Sequence, residues 1–135
     1  MPVATNDGVD IYYEVDGSSH SETVVLIEGL GYGRWMWRWQ REAIAEHYET
    51  IVVDNRGTGE SDAPAGPYSI AEMAADVEAV LADRGVERAH LIGASMGGMI
   101  VQQYAIEYDR AASISLLCSS PGGEEAPAAS PEVQA

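Results

Sequence analysis

The 135-residue sequence contains no lysine, no phenylalanine and a single cysteine, Cys118. One cysteine excludes an internal disulfide framework and a zinc cluster built from cysteines. The seven basic residues are all arginines and stand against 22 Asp and Glu, which gives a formal net charge of −15. Because a protein that neutralises phosphates needs a basic face, this balance argues against nucleic-acid binding and against docking on anionic membranes.

Long apolar runs are also missing. No stretch approaches the roughly 18 apolar residues of a membrane span, and residues 1–9 have neither the basic head nor the apolar core of a signal peptide. We therefore expect a cytoplasmic protein. The acidic, lysine-free composition further predicts a salt-adapted, halophilic protein, since dissolved ions screen the self-repulsion of its surface.

Short β-branched runs alternate with helical patterns along the chain. Strands are predicted at residues 9–15, 23–27, 50–53, 89–92 and 114–117, and helices at about 35–46, 69–85 and 96–108. Ser69 and Glu72 form a capping-box pattern at the start of the second helix, and Gly85 ends it. Continuous apolar strands that alternate with helices predict an α/β fold, with a mostly parallel sheet covered by helices on both faces. We place a core at residues 1–118 and a Pro-, Ala- and Glu-rich loop or tail at 119–135.

The segment from Gly93 to Gly97 reads G-x-S-x-G and lies between a predicted strand and a predicted helix. A serine on such a tight turn exposes its hydroxyl, and the residues two positions away must lack side chains so that strand and helix can approach. The helix that begins near Met96 would add free amides that favour a developing anion. The plainer alternative is a glycine-rich turn in which Ser95 is incidental.

Three motifs in this order resemble the α/β-hydrolase fold family: Gly29-Leu30-Gly31, the sequence DNRGTGES at residues 54–61, and the turn around Ser95. The resemblance implies that Ser95 is a catalytic nucleophile and that the backbone amides of Leu30 and Met96 form an oxyanion hole. We expect supporting roles for Glu28, Gly29, Arg56, Gly93 and Gly97.

The same resemblance implies a reaction. A serine nucleophile, where some relatives carry aspartate, implies hydrolysis of an ester, thioester, lactone or C–C bond in a small-molecule substrate through an acyl-enzyme. It argues against the dehalogenase and epoxide hydrolase branches. We expect no cofactor, and no metal site is predicted because no His, Asp or Glu grouping falls at ligand spacing on one face.

Glu28 departs from the family pattern, which usually has histidine before the first glycine of this loop. Because a bare carboxylate near an oxyanion would oppose catalysis, we expect Glu28 to be neutralised by Arg56 or by Arg34. The alternative is a solvated surface glutamate.

A serine nucleophile also needs a base, normally a histidine. His20, His47 and His90 each precede or begin a predicted strand, which places all three at the edge of the sheet opposite Ser95. In the family the acid and the histidine follow the point where this sequence stops. We therefore expect an N-terminal portion of a hydrolase that ends after the sixth strand of the fold, with Glu124 and Glu125 solvating a tail.

This expectation has a consequence for partners. The strand at residues 114–117 would be an edge with the composition of a central strand, so it should pair with a second copy of the chain or with a C-terminal complement.

Two other functional classes remain open on the sequence alone. Without a histidine, the chain could be a non-catalytic fragment or a ligand-binding chain. The glycines from Gly29 to Gly33, followed by a helix, a strand and Asp54, also imitate a dinucleotide-binding βαβ unit with its ribose-binding acid. Gly33, the third glycine of this sequence, lies one residue before the position that the dinucleotide-binding pattern requires, and Arg34 occupies that position.

Overall fold

A computed structural model describes residues 2–122 of the chain. In chain order the elements are β1 (Val3–Asn6), β2 (Val9–Asp16), β3 (Thr23–Ile27), a 3₁₀ turn (Arg34–Trp37), α1 (Arg38–Ile44), β4 (Glu49–Val53), α2 (Ile70–Arg84), β5 (Ala89–Ala94), α3 (Met96–Glu107) and β6 (Ala111–Leu117).

The six strands form one mixed sheet in the order β1-β2-β4-β3-β5-β6. The pairs β4–β3, β3–β5 and β5–β6 are parallel, whereas β1–β2 and β2–β4 are antiparallel. The predicted α/β fold with a mostly parallel sheet is therefore confirmed. Strand β1 is missing from the sequence prediction because only four residues form it and their burial alternates too briefly to show a period.

Alternate residues of the central strands face two separate layers. Val25, Ile27, Ile51 and Val53 pack against α2 and α3, while Val24, Leu26 and Val52 pack against Trp37 and the α1 side. Both β3 and β4 are buried along their whole length, as their continuous β-branched composition predicts. This arrangement brings the loops after β3, β4 and β5 to one edge of the sheet.

Helix α2 begins and ends as its sequence signals predict. The Ser69 hydroxyl accepts a hydrogen bond from the Glu72 amide at 3.0 Å, and the Glu72 carboxylate accepts one from the Ser69 amide at 3.0 Å. Gly85 adopts φ +75° at the C-terminus. The helix predicted at 35–46 is shorter, since its first residues form a 3₁₀ turn and α1 ends at Ile44.

Strand β6 lies at an edge of the described sheet, as predicted for residues 114–117. Its composition suits a buried strand, but Ile114, Leu116 and Leu117 are 37%, 42% and 48% exposed. The strand pairs with β5 alone and lies at the end of the sheet order. Composition indicates only how well a side chain suits burial. Among residues 2–122, no element covers the exposed parts of these side chains. Glu124, Glu125 and residues 123–135 of the predicted tail lie outside the described residues.

Candidate active site

Ser95 occupies a strained turn between β5 and α3. Its backbone has φ +53° and ψ −115°, a region that residues with a side chain rarely adopt. The Ser95 amide donates a hydrogen bond to the Leu117 carbonyl at 2.8 Å, which ties the turn to the end of β6. The residue is exposed, and its hydroxyl makes no capping bond to α3. The turn therefore presents a free hydroxyl at the carboxyl edge of the sheet.

Two glycines make this turn possible. A Cβ on Gly93 would collide with the Gly97 carbonyl, and a Cβ on Gly97 would collide with the Ile27 carbonyl of the neighbouring strand. Gly98 is packed as closely, against the Ser119 side chain. The G-x-S-x-G spacing is thus a packing requirement, because α3 could not approach β3 and β5 with side chains at these positions.

The loop after β3 lies beside Ser95. A Cβ on Gly29 would lie 3.3 Å from the Ser95 Cβ and 3.9 Å from its Oγ. The loop then turns, with the Tyr32 amide donating to the Gly29 carbonyl at 3.2 Å and Gly31 at φ +80°. The Leu30 side chain is 76% exposed. The Gly29 loop therefore lies against Ser95 on one side, and α3 begins at the next residue, Met96.

Asp54 joins this loop to the loop after β4. Its buried carboxylate accepts hydrogen bonds from the Arg34 amide at 2.8 Å and the Glu60 amide at 2.9 Å, and it pairs with the Arg34 guanidinium. Arg34 also contacts Glu14, at 3.2 Å, and its guanidinium lies over the Tyr12 ring. With all these partners, Asp54 is not available as the ribose-binding acid of a dinucleotide site.

Glu28 corrects the predicted arrangement of charges. It is fully buried, which excludes a solvated surface glutamate. Neither predicted arginine pairs with it: Arg34 binds Asp54 and Glu14, and Arg56 binds Asp76 at 2.7 Å and Glu72 at 3.1 Å. The carboxyl instead accepts a hydrogen bond from the Asn55 amide at 3.2 Å.

Burial raises the pKa of the Glu28 carboxyl to about 8, although hydrogen bonding by the backbone amides of Glu28 and Asn55 opposes the rise. The nearby charge of Asp54 adds to it. At neutral pH the group is therefore mostly a neutral acid. The prediction of neutralisation by an ion pair is wrong, because both arginines pair with other carboxylates.

A cavity of about 450 Å³ opens beside Ser95. Most of its lining is apolar or aromatic, and the lining residues are Gly29, Tyr32, Met36, Trp37, Gln40, Ala94, Ser95, Leu117 and Cys118. Trp37 is buried here, whereas Trp35 and Trp39 are 55% and 70% exposed. The Ser95 hydroxyl thus lies at the wall of a largely apolar cavity.

The three histidines lie at the opposite edge. The His90 ring contacts the Glu22 carboxylate at 3.3 Å and the Ser113 hydroxyl at 2.7 Å, near the amino ends of β3 and β6. His20 precedes β3 and His47 precedes β4. Within residues 2–122, no histidine lies beside Ser95. In the same residues, no group of three or more His, Cys, Asp or Glu is arranged to hold a metal ion, and no helix is long and apolar enough to cross a membrane.

Sequence reasoning missed two residues of this site. Asn55 lies within the motif at residues 54–61. Its hydrogen bond to Glu28 joins residues 27 positions apart, so no local sequence pattern could have predicted it. Trp37 stands in the sequence WMWRW at residues 35–39, where tryptophan occupies three alternate positions, so no local signal marks Trp37 as the buried one.

Comparisons with known proteins find relatives in sequence and in structure. A model of the alpha/beta hydrolase fold family matches residues 22–134. A protein of Azorhizobium caulinodans that is named a carbamate hydrolase, RutD, is 42% identical over 106 residues, which are 78% of this chain and 39% of that protein.

Solved structures are similar as well. Est816, described as an N-acyl homoserine lactone degrading enzyme, has a TM-score of 0.83 and 39% identity over 87% of this chain and 45% of its own. A hydrolase from Pseudomonas aeruginosa has a TM-score of 0.85 and 32% identity over 97% of this chain and 48% of its own. The chain spans about two fifths of the length of the curated relatives it matches.

Proposed function

The chain belongs to the α/β-hydrolase fold family, and we propose that it carries the nucleophile of a serine hydrolase. In this proposal Ser95 attacks an acyl carbon and forms an acyl-enzyme. The observation that carries it is the strained backbone of Ser95, whose free hydroxyl lies between the Gly29 loop and the start of α3. Backbone strain of this kind persists only where the surrounding structure enforces it, and it concentrates at functional sites.

The chemistry follows from the neighbours of Ser95. Its Oγ bonds to the acyl carbon, and the carbonyl oxygen becomes an oxyanion that the Leu30 and Met96 amides stabilise as donors. Amides fixed in advance cost no reorganisation when the charge develops. The leaving group then departs, and water attacks the acyl-enzyme to free the Ser95 hydroxyl again.

The Ser95 proton must pass to a base in the first step. Since no histidine of residues 2–122 lies beside Ser95, the base in this proposal belongs to residues outside that range or to another chain. The relatives support such a source, because more than half of their length lies outside the matched stretch.

The substrates that suit this site are small molecules with an activated carbonyl: an ester, a thioester, a lactone, a carbamate, or a ketone whose C–C bond is cleaved. The carbamate hydrolase and lactone-degrading names of two relatives support this class. The largely apolar cavity beside Ser95 favours a substrate whose acyl side is uncharged.

The same proposal assigns an occupant to the edge of β6. This strand exposes Ile114, Leu116 and Leu117 and has a neighbour on one side only within the described residues. We assign the open side to a C-terminal portion of a hydrolase, because the relatives hold much additional chain and parallel strands with apolar faces are normally buried. A second copy of the chain is the competing occupant.

The nucleophile can be tested with a base supplied from solution. A fluorophosphonate captures serine when Oγ bonds to phosphorus, fluoride leaves, and the hydroxyl proton passes to a base. We expect little capture by the 135-residue chain alone and a marked increase with added imidazole, located at Ser95 by peptide mass spectrometry. Ser95→Ala should abolish the adduct, and Ser115→Ala, at an exposed serine of β6, should leave it unchanged.

Two results would reject the assignment. One is equal capture by wild type and Ser95→Ala, and the other is a well-folded chain that imidazole fails to activate. In either case the remaining interpretation is a chain that binds a ligand at this cavity without turnover.

A further inference from the structure

The residue before Gly29 has chemistry that the proposed mechanism does not use. Glu28 is fully buried, and its side chain lies at the base of the loop that carries the Leu30 amide. Burying a carboxyl without a cationic partner is unfavourable, so this residue calls for a physical explanation.

Two hydrogen bonds join Glu28 to the loop after β4. Its Oε1 accepts from the Asn55 backbone amide at 3.2 Å, and its backbone carbonyl accepts from the Asn55 side-chain amide at 3.3 Å. Helix α3 presses on the same point, since a Cβ on Gly97 would lie 2.7 Å from the Glu28 carbonyl oxygen. Glu28 therefore anchors the start of the loop that lies against Ser95.

Within residues 2–122, the elements around the carboxyl supply no cationic partner. The loop after β4 contributes Asp54, which carries the same sign of charge as an ionised Glu28. The nearby Arg34 guanidinium is already paired with Asp54 and Glu14. The 3₁₀ turn contributes the Trp37 indole, and α3 contributes Gly97. The indole N–H approaches the carboxyl and opposes the rise in its pKa, but neither Glu28 Oε2 nor Trp37 Nε1 reaches hydrogen-bond geometry.

Ionisation would thus place a charge without a cationic partner in the core, two residues before the Leu30 amide to which the proposed function gives the oxyanion. Two negative charges in a site of low dielectric repel each other strongly. The neutral acid avoids this repulsion and still accepts the Asn55 amide at Oε1.

We propose that Glu28 is a positioning residue that acts as a neutral acid, holding Gly29 and Leu30 against Ser95 while it keeps its proton and releasing them when it ionises. The role in catalysis rests on the proposed function, because it concerns the oxyanion loop of Ser95. The effect on the loop itself does not depend on any reaction.

The loop can be observed directly in the ¹⁵N-labelled 135-residue chain. We expect the Gly29 and Leu30 amide resonances to titrate together with a midpoint near 8, the raised pKa of Glu28. In Glu28→Gln both resonances should stay at their low-pH positions, because the glutamine oxygen accepts the Asn55 amide without a charge. Glu42→Gln, at an exposed glutamate of α1, should titrate as wild type does.

Three results would overturn the proposal. The first is that the Gly29 and Leu30 amides do not titrate between pH 7 and 9 in wild type, and the second is that they titrate equally in Glu28→Gln. The third is that the Glu28 carboxyl carbon titrates with a midpoint below about 6, a value one unit above the usual range of glutamate pKa values. The last measurement uses ¹³C-labelled wild type, so it decides the matter even where the glutamine variant does not fold.

Capture of Ser95 by the fluorophosphonate in imidazole then separates this proposal from the function it rests on. Relative to Glu28→Gln, wild type should lose capture about tenfold between pH 7 and 9, as expected for one group with a pKa near 8. Titrating amides with no capture at any pH would reject the Ser95 mechanism and leave the loop role intact. Capture with the same pH dependence in both proteins would reject the role of Glu28 alone.

Discussion

Gly29 lies directly against Ser95: a methyl group on Gly29 would be 3.3 Å from the Ser95 Cβ and 3.9 Å from its Oγ. Ser95 and Gly29 follow strands that are adjacent in the sheet, β5 and β3, although 66 positions of sequence separate them. Several consequences of this packing can be measured.

Gly29→Ala should separate reactivity from stability. The added methyl meets contacts that are tight without being prohibitive, so we expect the free energy of unfolding to fall by less than about 1 kcal/mol. Because the methyl occupies space beside the Ser95 hydroxyl, imidazole-dependent fluorophosphonate capture should fall at least tenfold. Unchanged capture in a stable Gly29→Ala protein would show that the loop does not confine the nucleophile.

Gly97→Ala should destabilise the fold, although helix propensity alone predicts the opposite. Alanine is favoured over glycine in a helix by roughly 1 kcal/mol, but here the new methyl would overlap the Ile27 carbonyl of β3. We expect a net loss of about 3 kcal/mol, measured by urea denaturation. Gly66→Ala is a loop control, since its methyl would come no closer than 3.7 Å to any residue beyond its two chain neighbours. A stabilised Gly97→Ala would contradict the close packing of α3 on β3.

Arg56 has a structural role that differs from the one its motif suggests. Its guanidinium donates to both Asp76 oxygens at 2.7 and 2.8 Å, and the two side chains are only 6% and 4% exposed. Arg56→Gln should therefore cost about 3–5 kcal/mol, because it leaves the Asp76 charge buried and unpaired. Arg38→Gln, at an exposed arginine, should change stability by less than about 0.5 kcal/mol. Similar losses in the two variants would argue against a buried pair.

The sequence predicts most of this site because its signals are local. The turn around Ser95 needs glycine at two fixed positions, and the capping of α2 depends on Ser69, Glu72 and Gly85 within one segment. The partners of the charged residues are not local. Arg56 and Asp76 are 20 positions apart, Glu28 and Asn55 are 27 apart, and only the fold decides which carboxylate meets which guanidinium. Charge signs alone therefore gave Glu28 the wrong partner.

Leu116→Lys tests the edge of β6. Unpaired strand edges with apolar side chains promote association, and a charge at the edge suppresses it. We expect the wild-type chain to associate as its concentration rises, and Leu116→Lys to remain monomeric in sedimentation velocity. Ile106→Lys alters a more exposed apolar residue, on α3, and should not change the association.

The outcome also distinguishes the occupants of the edge. Association of wild type into a discrete dimer would favour a second copy of the chain over a C-terminal portion of a hydrolase. A wild-type chain that stays monomeric at high concentration would contradict an adhesive edge altogether.

Salt should stabilise this chain. With a net charge of −15, self-repulsion disfavours the compact state, and the screening length falls from about 30 Å at 0.01 M to about 3 Å at 1 M salt. We expect the thermal midpoint to rise between 0.05 and 1 M sodium chloride. Repeating the measurement in potassium chloride controls for the identity of the cation. A midpoint that is flat or falls with both salts would argue against salt adaptation.

Glu28→Gln should change how stability depends on pH. The folded pKa of Glu28 is raised to about 8, whereas the unfolded chain has the ordinary value of 4.5. The wild-type contribution is therefore complete below the unfolded pKa and is lost as the pH rises through the folded one, because the unfolded chain releases a proton that the folded chain retains.

The glutamine variant has no such proton, so its advantage over wild type should grow by roughly 1.4 kcal/mol per pH unit between pH 5 and 8 and then level off. Urea denaturation at pH 5, 7 and 9 measures this difference, with Glu42→Gln as the exposed control. A constant difference between wild type and Glu28→Gln across this range would mean that the buried carboxyl ionises as readily in the folded chain as in the unfolded one. The neutral acid below the oxyanion loop would then be ruled out.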